Sequence, residues 1–212
     1  MNFLQISLTN RCNLGCWHCP MGEWRNAARP RWPLDNATLI PFMEKYVPPE
    51  RWVVELTGGE PSLYPEIDEL MRWLSEHNYR TLVKTNGTGS LGKYPNVTRV
   101  AAFHRLESPP ENFDCILIVD KIDRERKEAF CKEHGLPYKV IGYDKENPDG
   151  ATHGFVYTAF INPAGHQVGC CARKVTERVV NGVDYNRIDH RPLVVTECCP
   201  RCKAAIDAWR FL

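Results

Sequence analysis

Short apolar runs alternate along this chain with stretches whose apolar residues recur at helical spacing. Phe3-Leu4-Gln5-Ile6-Ser7-Leu8 reads as a first strand, with Thr9 and Asn10 turning out of it. Asp35 is placed to cap a helix whose apolar residues Leu39, Phe42, Met43 and Tyr46 share one face, with Pro41 disturbing its first turns. Trp52-Val53-Val54-Glu55-Leu56 is a second strand. Pro65 opens a second helix with the stripe Ile67, Leu70, Met71 and Leu74, and Thr81 to Lys84 is a third strand. Val97 to Phe103 and Cys115 to Val119 give strands four and five. Ile122 to His134 is a helix stopped by Gly135, and Tyr138 to Ile141 is a sixth strand.

Strands and helices in alternation imply an α/β fold with a parallel sheet, whose ligands gather at the carboxyl ends of the strands. The Asp144 to Gly154 loop, with Asn147-Pro148-Asp149-Gly150 at its centre, is the best boundary, dividing the chain into residues 1–146 and 147–212. Beyond it, Phe155 to Ile161 and Gln167-Val168 form an expected hairpin around Asn162-Pro163-Ala164-Gly165. Ala204 to Leu212, with Ile206 and Trp209, is an expected short closing helix.

A chain of 212 residues holds one sizeable core and a small appendix. Lys and Arg total 27 against 26 for Asp and Glu, a net charge of +1, so nothing favours a nucleic acid or another polyanion as partner. The N-terminus lacks an export signal, and no run nears the ~20 apolar residues of a membrane span, so a cytoplasmic location is expected. The 10 cysteines sharpen that picture, because in a reducing compartment clustered cysteines hold metal more often than they form disulfides. Cys115 and Cys131 stand alone and are expected in the core.

The chemistry concentrates in Arg11-Cys12-Asn13-Leu14-Gly15-Cys16-Trp17-His18-Cys19, directly after the first strand. Close, unequally spaced thiolates suit a cubane iron–sulfur cluster, which normally takes four cysteines. With three offered, one iron is left open to a ligand that is not protein. Zinc is the alternative, with His18 as a strained fourth ligand. The segment Pro20 to Pro33 has no usable period and reads as loop, where Trp24 and Trp32 either wall the site or pack on the surface. The second strand runs straight into Thr57-Gly58-Gly59-Glu60-Pro61, and glycines there let backbone groups approach a ligand closely. The third strand ends in Thr85-Asn86-Gly87, in isolation a good turn.

CxxxCxxC after a first strand, with Gly-Gly-Glu about forty residues later at a strand end, resembles the radical S-adenosylmethionine (radical SAM) superfamily. The resemblance implies a trimmed, partial (β/α)6 barrel. It also implies a 4Fe–4S cluster on Cys12, Cys16 and Cys19 whose open iron is chelated by the methionine end of SAM. Reductive cleavage of the sulfonium would then give a 5′-deoxyadenosyl radical that abstracts hydrogen from substrate. His18 falls at the family's aromatic position beside adenine, and Gly58, Gly59 and Glu60 would orient the methionine amino group. Thr85 and Asn86 would reach SAM. His104 would touch ribose or substrate, and Asp120 would lie near the reacting centre. The family's glycine-isoleucine pattern on strand five is not evident in Ile116-Leu117-Ile118-Val119.

A second cysteine group, Cys170, Cys171, Cys198, Cys199 and Cys202, follows the expected hairpin. It is similar to the twitch region, a truncated relative of the SPASM domain, which implies a second 4Fe–4S cluster; zinc on Cys170, Cys171, Cys199 and Cys202 is the alternative. The resulting expectation is a radical SAM oxidoreductase acting on a small-molecule, nucleotide or peptide substrate, with flavodoxin or ferredoxin as reductant. A peptide substrate would usually bring a leader-recognition domain, for which no segment is expected to have room, and Trp17, Trp24, Trp32 and the small size suit a nucleotide or other small metabolite, or a macromolecule docked on an open barrel. Redox-neutral isomerase, epimerase or transferase chemistry over a structural zinc, and a non-catalytic metal-stapled binding module, are the rival readings.

Overall fold

A computed structural model describes residues 2–16, 19, 25–26, 33–104, 110–119, 123–141, 157–168, 179–180, 183–184, 187–194 and 196–197. Strand β1 (Asn2–Thr9) leads through the cysteine loop to helix α1 (Asn36–Tyr46), and β2 (Trp52–Gly58) leads through a 3-10 turn (Pro61–Leu63) to α2 (Ile67–Glu76). Next come β3 (Arg80–Thr85), β4 (Val97–Ala102), β5 (Cys115–Val119), α3 (Arg124–Glu133) and β6 (Tyr138–Ile141). Then follow β7 (Tyr157–Ile161), β8 (Gln167–Val168), β9 (Val179–Val180), β10 (Val183–Asp184) and β11 (Thr196–Glu197).

The main sheet has the order β11-β7-β1-β2-β3-β4-β5-β6 and does not close on itself. Every pairing from β7 across to β6 is parallel, while β11 and β8 run antiparallel to β7. This is the expected trimmed α/β barrel, with one addition: β7 lies parallel to β1, in the register Phe3↔Thr158 to Ile6↔Ile161, and so extends the barrel sheet. The expected hairpin is present as β7 and β8. The connection from β3 to β4 spans residues 86–96 without a helix, close to the shortest crossover a parallel pair tolerates.

Alternation along the strands separates two faces. Leu4, Ile6 and Leu8 of β1, Val54 and Leu56 of β2 and Val83 of β3 pack with Leu39 and Met43 of α1 and Leu70, Met71 and Leu74 of α2 in one buried core. Each such aliphatic side chain stabilises the fold by about 1.5–3 kcal/mol when fully buried. The intervening positions, Gln5, Glu55 and Lys84, therefore face the inside of the open barrel. Ile116 and Ile118 of β5 pack on Cys131 of α3, so Cys131 and Cys115 are buried thiols as expected, and burial pushes both upward from the ordinary thiol range.

Asp35 caps α1, accepting from Thr38 N–H at 2.8 Å, and the helix continues through Pro41. Helix α2 begins at Ile67 rather than at Pro65 because Pro61 starts the 3-10 turn and Glu66 is engaged elsewhere. The Glu66 carboxylate accepts from Asn36 N–H at 2.7 Å, satisfying a free donor at the start of α1. Asp123 adopts a left-handed conformation (φ 53°), which delays α3 to Arg124. The expected closing helix from Ala204 and the Asp144 to Gly154 loop lie outside the described residues.

Candidate functional site

The carboxyl ends of β1, β2 and β3 converge on the cysteine loop, and a continuous run of hydrogen bonds joins them. Gly59 N–H donates to Thr9 O at 2.6 Å and Glu60 N–H to Arg11 O at 2.7 Å, so the Gly-Gly-Glu turn lies directly against the backbone entering the loop. Both glycines are required by that approach. A Cβ on Gly59 would fall 2.0 Å from Arg11 O, and one on Gly58, whose φ is +139°, would fall 2.4 Å from Thr9 O.

Glu60 is fully buried (0% exposed) and spans the ends of β2 and β3. Its Oε1 accepts from Thr85 Oγ1 at 2.6 Å and from Ser62 N–H at 3.1 Å, and its Oε2 accepts from Asn86 N–H at 2.7 Å. Asn86 in turn meets the cysteine loop, its Nδ2 donating to Asn13 Oδ1 at 2.8 Å and lying 3.8 Å from Cys12 Sγ. Thr88 closes the circuit: its N–H and hydroxyl donate to Asn86 Oδ1 at 3.0 and 2.6 Å, and its hydroxyl accepts from Asn13 Nδ2 at 2.7 Å.

Two residues that sequence reasoning missed hold the loop from its other side. Asn26, in a left-handed conformation (φ 58°), pairs with the Cys12 peptide like a strand neighbour. Its Oδ1 accepts from Cys12 N–H at 2.9 Å, its Nδ2 donates to Cys12 O at 2.9 Å, and its own N–H donates to Asn10 O at 3.0 Å. Arg25 Nη1 donates to Cys16 O at 2.9 Å. The only sequence signal for Asn26 was its residue type, since asparagine tolerates positive φ and mimics backbone hydrogen bonding.

Cys12, Cys16 and Cys19 are half-buried thiols, with Cys19 N–H donating to Cys16 O at 3.2 Å. Among the described residues no three metal-ligating side chains are gathered into a closed set. The fit to an iron–sulfur cluster therefore lies in the soft donors and in the anchoring of their loop. His104 follows β4, at the same end of the sheet, and is half-buried. His18, Trp17, Trp24, Trp32, Asp120, Cys170, Cys171, Cys198, Cys199 and Cys202 lie outside the described residues.

Inside the barrel, Gln5 Nε2 donates to Glu55 Oε1 at 2.5 Å, and Glu55 is 1% exposed. Burial pushes the Glu55 carboxyl above its ordinary range, and the Lys84 charge and the Gln5 bond offset part of that rise.

An open parallel barrel whose first strand delivers an anchored three-thiol loop to the carboxyl ends of its neighbours is the framework of an iron–sulfur enzyme. The chain belongs to the Radical SAM superfamily, whose sequence model matches residues 6–134. Enzymes of this family use a 4Fe–4S cluster and S-adenosylmethionine. The 7-carboxy-7-deazaguanine synthase of Methanothermobacter thermautotrophicus is 30% identical over 153 residues, covering 62% of this chain and 61% of that protein. A GTP 3′,8-cyclase of Stenotrophomonas maltophilia is 27% identical over 137 residues, covering 64% of this chain and 39% of the cyclase. The chain thus spans about three fifths and two fifths of these two relatives' lengths. Streptococcus suis SuiB bound to S-adenosylmethionine shares the fold, with TM-score 0.54 and 12% identity over 80% of this chain and 60% of that one. No described helix is long and apolar enough to cross a membrane.

Proposed function

We propose that this chain cleaves S-adenosylmethionine reductively and abstracts hydrogen from a small nitrogen-heterocyclic substrate, with a second metal group on its C-terminal cysteines. The observation that carries the reading is the hydrogen-bonded circuit from Glu60 through Thr85 and Asn86 to the Cys12 loop. When bound, the 4Fe–4S cluster and S-adenosylmethionine supply one-electron cleavage of the C5′–S bond. Cys12, Cys16 and Cys19 hold the cluster. The Gly58-Gly59 backbone would meet the methionine end, with Thr85 bracing that turn through Glu60, and His18 and His104 are placed in sequence to line the adenosine end.

Glu60 has a supporting part. Its carboxylate accepts from Thr85 and Asn86 at the end of β3 and from Ser62 in the turn after β2, so it braces the walls of the site. The inward face adds Gln5, Glu55 and Lys84, polar groups that suit a heterocycle with both donor and acceptor edges. Relatives named for GTP and for a 7-deazaguanine favour the same substrate class. One of Cys170 and Cys171, with Cys198, Cys199 and Cys202, would hold a second 4Fe–4S cluster that accepts an electron, giving net oxidation; flavodoxin or ferredoxin would reduce the first.

The test is anaerobic incubation of the reconstituted protein with S-adenosylmethionine and dithionite. The parent should release 5′-deoxyadenosine and the Cys16→Ala variant should release none; equal release from both would overturn the reading.

A further inference from the structure

The side-chain amide of Asn86 has its orientation fixed from outside. Thr88 N–H can only donate, and it meets Asn86 Oδ1 at 3.0 Å, with the Thr88 hydroxyl donating to the same oxygen at 2.6 Å. The oxygen is therefore turned toward Thr88, and both protons of Nδ2 are turned toward the cysteine loop. One is taken by Asn13 Oδ1 at 2.8 Å; the other is directed at Cys12 Sγ, 3.8 Å away, a long separation that suits a large, diffuse acceptor. Cys12 Sγ also accepts from Leu14 N–H at 3.4 Å. Asn86 is 9% exposed, its backbone N–H is held by Glu60, and turning the amide away would break its part-buried bonds to Asn13 and Thr88.

We propose that Asn86 is a positioning residue for the cluster, raising its reduction potential through an N–H···S bond to the Cys12 thiolate rather than contacting S-adenosylmethionine. The proposal rests on the function proposed above. All four hydrogen-bonding positions of the amide are used within the protein, two on the oxygen by Thr88 and two on the nitrogen by Asn13 and Cys12, which leaves none for a ligand. Reduction adds one electron, delivered by a flavodoxin- or ferredoxin-type donor, and increases the negative charge carried by the cluster sulfurs and their thiolates. A donor on one thiolate stabilises the reduced form more than the oxidised form, and hydrogen bonds to sulfur are a recognised control of cluster potential. Glu60 thereby gains a second consequence, because it holds the backbone from which this amide projects.

The experiment is an EPR-monitored redox titration of the anaerobically reconstituted full chain, following the signal that responds to added S-adenosylmethionine, with iron determined in parallel. Asn86→Asp keeps an acceptor for both Thr88 donors and loses the N–H; Asn86→Leu removes both. Each is expected to keep the cluster iron and to shift the midpoint potential downward. Thr88→Val removes one donor to the amide oxygen but leaves the backbone N–H that orients it, and should leave the potential where the parent has it. An unshifted potential in Asn86 variants that retain iron would overturn the proposal. So would loss of the cluster from both Asn86 variants but not from Thr88→Val, since the amide would then merely hold the loop. Absence of any S-adenosylmethionine-responsive signal in the parent would instead overturn the function on which the proposal rests.

Discussion

Thr85 Oγ1 donates to Glu60 Oε1 at 2.6 Å with both residues buried, and this contact ties the end of β3 to the end of β2. The Gly-Gly-Glu acid is thus a clamp between strand ends, and it also receives Ser62 and Asn86 N–H groups. Glu60→Ala strands these three donors in a water-poor site and should destabilise the fold by about 3–5 kcal/mol. Thr85→Val removes one of them and should cost about 1–2 kcal/mol. Urea denaturation measures both; a Glu60→Ala loss under about 1 kcal/mol would show that the clamp is dispensable.

Two glycines near the site should respond oppositely to the same substitution. Gly59→Ala drives a Cβ to within 2.0 Å of Arg11 O and must displace the cysteine loop, whereas a Cβ on Gly15 meets nothing within 4 Å among the described residues. Reconstituted Gly15→Ala should hold iron like the parent, with stability within about 0.5 kcal/mol, and Gly59→Ala should lose most N-terminal iron. Equal iron in the two variants would contradict the close packing of the turn on the loop.

Asp114 braces β4 against the chain entering β5. Arg99 donates to it through Nε at 3.1 Å, Nη2 at 3.0 Å and its backbone N–H at 2.9 Å. Burial would raise the Asp114 carboxyl, but these bonds and the guanidinium charge hold it below the ordinary 3.8. A depressed carboxyl contributes stability above its unfolded value and loses it as pH falls through the folded one. Asp114→Asn should therefore cost about 1–3 kcal/mol at pH 7, with the gap to the parent closing below about pH 4. Paired melts across pH 3–7 test this, and a gap independent of pH would argue against it.

Glu55 should show the opposite sign. Burial raises it above the ordinary 4.5, so its contribution to stability is complete below that pH and declines as pH rises toward the folded value. Glu55→Gln removes the titration, and its melting temperature relative to the parent should climb between pH 4.5 and 7.5. A constant difference would mean that the carboxyl ionises as freely folded as unfolded.

The barrel was legible because its elements announce themselves locally: alternation in Phe3 to Leu8, the helical stripe of α2, and the Asp35 cap all came through intact. The boundary shifts have local causes that depend on distant partners, as with Glu66, which serves α1 instead of its own helix. Parallel pairing of β7 with β1 joins strands about 150 residues apart and leaves no periodic trace in either. In the site, the cysteines and the Gly-Gly-Glu turn were visible as residue types. The Asn26 clamp was not, because it depends on a left-handed backbone and a contact 14 residues away. The spacing of Gly58 and Gly59 hinted at close approach, but only the fold shows that what approaches is the cysteine loop.

The central claim is that Cys12, Cys16 and Cys19 together hold one cubane. Iron and sulfide analysis after anaerobic reconstitution, comparing the parent with the triple Cys12→Ala, Cys16→Ala, Cys19→Ala variant, tests it most directly. The variant should carry about four fewer irons than the parent, roughly four against eight if the C-terminal cysteines hold a second cubane. Equal iron in parent and variant would contradict the claim.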